Sequence, residues 1–96
     1  MKIIDQAYLE LVDPRVNSAK FYTAAVVEEA DATCGVAVVY GRIDTAGQLI
    51  WKTRAATLPA AQTAFDKVVS EKHAKGYTYE SPDTFDMLAR LGEQGE

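Results

Sequence analysis

The chain predicts an α+β domain: a twisted antiparallel sheet of about four to five strands, one main helix packed on one face, and a short C-terminal helix. Three observations point there. Segments rich in valine, isoleucine and aromatic residues are confined to the first half of the chain, small polar clusters separate them, and an apolar stripe at helical spacing follows only afterwards. One sheet face is expected to be solvated and the other covered by that helix.

Tyr8 to Val12 reads as a strand that ends at Asp13-Pro14, where proline removes a ladder donor. A loop to Asn17-Ser18 leads into a second strand, Phe21 to Glu28, closed by Glu29-Ala30-Asp31-Ala32-Thr33. Gly35 to Ile43 is the third strand and Gln48 to Ala55 the fourth, joined through Asp44-Thr45-Ala46-Gly47, so the strands form a meander. Thr57 is the expected cap of the main helix, with Pro59 tolerated in its first turn. Ala61, Ala64, Phe65, Val68 and Val69 form one stripe for the core. Lys72, His73 and Lys75 suit the negative end of the helix dipole, and Gly76 is the expected left-handed terminator. Tyr77 to Glu80 reads as a last short strand. Ser81-Pro82-Asp83 is the cap of a second helix carrying Phe85, Leu88 and Leu91 along one side, with Gly92 stopping it and residues 92–96 fraying.

With 96 residues, 48% of them hydrophobic and 25% charged, the chain fits a single domain, residues 1–96, with one core. The formal charge of −4 disfavours a strongly basic nucleic-acid footprint, although acidic residues crowd the end of the chain at Asp83, Asp86, Glu93 and Glu96. The lone Cys34 excludes an internal disulfide, and the first residues lack an apolar signal-like run, so a cytoplasmic location is expected. No segment approaches the roughly 20 apolar residues of a spanning helix, so no membrane partner is expected.

The most informative stretch is Val39-Tyr40-Gly41-Arg42-Ile43-Asp44-Thr45, an apolar strand ending in an aromatic-Gly-Arg triplet. It is preceded by Lys20-Phe21-Tyr22 and followed by a helix carrying Ala61, Phe65 and Lys72 and closing on Gly76-Tyr77. In order and spacing these patterns resemble the WGR domain, from about Ala19 to Tyr79. Tyr40 stands in place of the signature tryptophan, Ala19 in place of an asparagine, and Asp44 where the family often has glycine. The match is read as a small, stand-alone, bacterial-type member related to the module of poly(ADP-ribose) polymerases. In those enzymes the module is non-catalytic: its tryptophan stacks on sugar at a DNA end and nearby polar groups hold phosphate.

Carried onto this sequence, the resemblance implies nucleic-acid binding through Lys20, Tyr40, Gly41 and Arg42, helped by Lys52 and Arg54. A tyrosine ring stacks with less area than indole, and a guanidinium presents a planar fork suited to phosphate. Strand alternation puts Tyr40 and Arg42 on one face, and puts Lys52 and Arg54 together with Trp51 opposite them. An even turn sets Tyr40 beside Trp51, whereas an odd turn or a bulge sets Arg42 with Lys52 and Arg54. Gly41 marks a bulge or a close backbone approach. From Arg15 to Arg54 the local charge is only slightly positive, and Asp44 places a carboxylate two residues from Arg42.

No His/Cys cluster has zinc spacing, no glycine-rich loop opens a helix, and Cys34 and His73 fall on different elements. The expectation is a non-catalytic module with no metal, cofactor or small-molecule substrate. Its partner is DNA, at ends or breaks, or RNA. The alternative is a protein-interaction module using the same aromatic-arginine pair, a typical interface anchor.

Overall fold

A computed structural model describes residues 1–80 and 87–94. The first half folds as a meander of strands β1 (Lys2–Asp13), β2 (Ser18–Glu28), β3 (Cys34–Arg42) and β4 (Gln48–Ala56). Helix α1 (Leu58–Ala74) then crosses the sheet from the β4 edge to the opposite edge, where β5 (Thr78–Tyr79) pairs with β1. The sheet order is β4-β3-β2-β1-β5, antiparallel throughout. A second helix, α2 (Met87–Gln94), follows.

Strand β1 begins well before the expected Tyr8. Its extension pairs with the far half of β2, Lys2 opposite Glu28 and Ile3 opposite Val27, and one extra residue at Ile4 shifts the register before Asp5 meets Val26. The β1–β2 connection is a single 3-10 turn, Pro14–Val16, capped by the Asp13 carboxylate accepting from the Arg15 amide, with Asn17 left-handed at its end (φ 52°). The Thr57 hydroxyl accepts from the Ala60 amide at the head of α1. Gly76 takes φ 105° just beyond it, so both caps stand where the residue types place them.

The sheet is covered on both faces, which corrects the expectation of a solvated one. On the α1 side Ala61, Phe65 and Val69 pack on Leu9, Tyr22, Ala24, Val26, Val36 and Val38. On the other side Met87 and Leu91 of α2 pack on Phe21, Ala25, Val27, Ala37 and Val39, with Tyr8, Leu49 and Trp51 at the margin. Every residue from Phe21 to Val27 and from Cys34 to Val39 is therefore buried. That is what an unbroken apolar run in a central strand requires. Gly92 lies inside α2, which runs on to Gln94. The Ser81-Pro82-Asp83 cap, Phe85, Asp86 and residues 95–96 lie outside the described residues, as do the side chains of Leu88 and Glu93.

Candidate functional site

The aromatic-Gly-Arg triplet occupies the end of β3, where the sheet emerges from under α1. Lys20 lies directly across from Arg42, and Tyr22 across from Tyr40. The tyrosine rings stack at 6.2 Å between centroids, so a fully packed ring carries an accessible one: Tyr22 is 4% exposed and Tyr40 36%. The Tyr40 hydroxyl donates to Gln48 Oε1 on the neighbouring strand (3.3 Å).

The glycine between Tyr40 and Arg42 faces the opposite side of the sheet. A Cβ there would come within 2.9 Å of Gly47 Cα and 3.3 Å of Thr45 Oγ1. Gly47 itself has φ 72°, and a side chain on it would meet the Phe21 ring at 2.6 Å. The expected close backbone approach is thus an apposition of two glycines, which lets the turn fold back tightly on β3. Within the turn the Thr45 hydroxyl donates to the Arg42 carbonyl (2.6 Å) and the Ile43 amide to Ala19 O (3.0 Å). Arg90 of α2 donates to the Ala46 carbonyl. The motif is therefore held from β2, from its own turn and from α2.

Five residues separate β3 from β4, and a bulge in β4 decides the remaining question of faces. Ala37 pairs with Trp51 but Val36 pairs with Thr53, so one extra residue enters at Lys52. Lys52 stays on the Tyr40 and Arg42 face, while Arg54 is turned to the Trp51 face. There its guanidinium lies 4.3 Å from the Trp51 ring centroid and bonds Glu29 Oε1 at 3.0 Å. The expectation that Lys52 and Arg54 share a face is corrected: a bulge breaks strict alternation.

What remains on the α1 side is an open groove of about 440 Å³. Lys20, Arg42, Lys52 and Lys72 line it with Tyr22, Tyr40, Gly41, Ile50 and Tyr77, and among the described residues no carboxylate lines it. Arg15 is paired with Asp13 and Arg54 with Glu29, whereas none of the four groove cations makes an ion pair among the described residues. On the far side of the sheet burial, then Glu10, Asp44 and Glu80, push the Tyr8 phenol up to about 12. Burial, then the charges of Lys75, Lys52 and Lys20, hold the Lys72 ammonium below the ordinary lysine range against the opposing pull of Glu71.

Lys72, Tyr22 and Tyr77 also line the groove, although the sequence reading did not include them among the candidate binding residues. Lys72 Nζ lies 4.7 Å from the Tyr22 ring centroid and 5.9 Å from that of Tyr77. Their signal was present, since Lys-Phe-Tyr and Lys72 with Gly76-Tyr77 flank the triplet in the same family pattern. Cys34 is buried in the α1-side core, and His Nδ1 of residue 73 lies 3.1 Å from the Tyr77 carbonyl. No group of three potential metal ligands occurs among the described residues. None of their helices is long and apolar enough to cross a membrane.

Asp44 occupies a left-handed conformation (φ 73°), which accounts for the glycine common at this place in the family pattern. Asp44→Gly is expected to raise stability by up to about 1 kcal/mol, the relieved strain less the extra freedom of the unfolded chain. Chemical denaturation checks it, and a loss of stability would show that the aspartate side chain supports the turn. A family model described as WGR domain matches residues 5–84. No curated protein and no solved structure gives a match.

Proposed function

The chain belongs to the WGR domain family, and from that premise we propose that it binds nucleic acid along the groove between the β3–β4 end of the sheet and α1, without chemistry of its own. One observation carries this reading. A protein with 14 acidic and 10 basic residues gathers four cations around one hollow, and among the described residues no carboxylate enters its lining. Such a focus of charge attracts a polyanion whatever the sign of the whole molecule.

In this reading Lys20 and Arg42, side by side across two strands, hold backbone phosphate, and Lys52 extends the contact along β4. Tyr40, exposed and backed by the Tyr22 ring, stacks on a sugar or base at a DNA end or break. Gly41 contributes by letting the turn close. Arg54 is directed to Glu29 and Trp51 and stands outside this set.

The test is a titration against a short nicked or blunt-ended duplex at several salt concentrations. Two to four phosphate contacts give a slope of log affinity on log salt between about −1.8 and −3.6, so that affinity falls roughly 12- to 150-fold from 50 to 200 mM. Absence of binding at low salt would overturn the proposal. A protein partner would then be the reading, with Tyr40 and Arg42 first for alanine scanning.

A further inference from the structure

Beneath the exposed motif the groove has a second layer. Tyr22 is almost wholly buried, yet its hydroxyl oxygen has no hydrogen-bond partner. A buried phenol is ordinarily satisfied, because leaving its polar atom unpaired costs free energy. The ring lines not only the 440 Å³ groove but also a second hollow of about 450 Å³ beside it, where Val68, Glu71 and Lys75 of the helix end form the wall. Lys52 and Lys72 line both hollows, so Lys72 stands between them, resting over the Tyr22 ring.

We propose that Tyr22 and Lys72 form a phosphate-recognition element at the floor of the groove: the Tyr22 hydroxyl donates a hydrogen bond to a phosphate oxygen whose charge Lys72 neutralises. The proposal rests on the nucleic-acid reading and deepens it, assigning the recognised group as backbone phosphate and carrying its path past the motif toward the last turn of α1. Burial, then the charge of Glu71, pushes the Tyr22 phenol up to about 12, so it is a donor at any physiological pH. The hydroxyl is closed off from solvent, so an anion reaches it only when a neighbouring side chain moves. Lys72 is held there by cation–π contacts, with no ion pair among the described residues, so it is the side chain able to swing off the ring and pair with the arriving anion.

The decisive variant is Tyr22→Phe, which removes the hydroxyl and keeps the ring that supports Tyr40. Its affinity for a short duplex should fall about tenfold or more, the loss of one hydrogen bond to a charged group. Its midpoint of chemical denaturation should stay the same or rise, since an unsatisfied polar atom is gone. Lys72→Met should also weaken binding and flatten the salt slope by about 0.9. Inorganic phosphate, followed by the NMR shift of Lys72 Nζ and its neighbours, is the second probe. If wild type binds phosphate there and Tyr22→Phe does not, the element stands even should duplex binding fail. Duplex and phosphate binding unchanged in Tyr22→Phe would overturn it and leave the wider reading intact. Binding of neither probe by wild type would overturn both.

Discussion

Phe65→Ala is expected to destabilise the domain by about 3 to 5 kcal/mol, a large part of the stability of a chain this size. Phe65 is 6% exposed and sits in the middle of the α1 stripe, packed into the same cluster as Tyr22, Ala24 and Val38. Removing its ring leaves a cavity between helix and sheet, and the flanking strands, pinned by pairing on both sides, have little room to close it. Urea denaturation measures the effect. A change within about 0.5 kcal/mol, the range of surface positions, would place Phe65 outside the core. The groove should suffer too, because α1 brings Lys72 to it.

The second large effect falls on binding. Arg42→Ala is expected to weaken duplex affinity and to flatten the slope of log affinity on log salt by about 0.9, the signature of one lost phosphate contact. Tyr40→Ala is expected to cost about 1 to 3 kcal/mol of binding with little change in slope, since stacking does not release counterions. Neither change should disturb the fold, because both side chains are exposed. Titrations of the two variants at four salt concentrations separate the roles. Equal slopes in Arg42→Ala and wild type would remove Arg42 from the phosphate contacts.

Most of the fold is legible in the residues. The breakers Asp13-Pro14 and Asp44 to Gly47, the cap Thr57 and the terminator Gly76 all fall at the ends of observed elements. The apolar stripe of α1 identifies its buried face. The double-sided burial was also written there, in the unbroken runs Ala24-Ala25-Val26-Val27 and Val36-Ala37-Val38-Val39, which do not alternate as a half-solvated strand must. The early start of β1 was not legible, because Lys2 to Ala7 mixes polar and apolar residues and its strand form comes from pairing with β2.

At the site, the family resemblance pointed to Lys20, Tyr40, Gly41, Arg42 and Lys52, which the fold brings together. Arg54 parts from them because the register of a bulge depends on pairing with β3 rather than on local composition. Lys72 is distant in sequence from the triplet and reaches the groove only because α1 crosses back over the sheet. The charge summed over residues 15–54 does not say which side chains share a surface. Glu28, Glu29, Asp31 and Asp44 lie outside the groove lining, and Lys72 joins Lys20, Arg42 and Lys52 there from α1, so what faces the groove is more positive than the segment's sum.

The most direct measurement is an NMR titration of the labelled protein with a short end-bearing duplex at low salt, reading which backbone amides shift. The predicted result is a contiguous set at Lys20 to Tyr22, Tyr40 to Arg42, Lys52 and Lys72, with Ala37, Val39 and Arg54 unmoved. Shifts confined to the α2 side of the sheet, or no shifts at all, would contradict a groove built to hold nucleic acid.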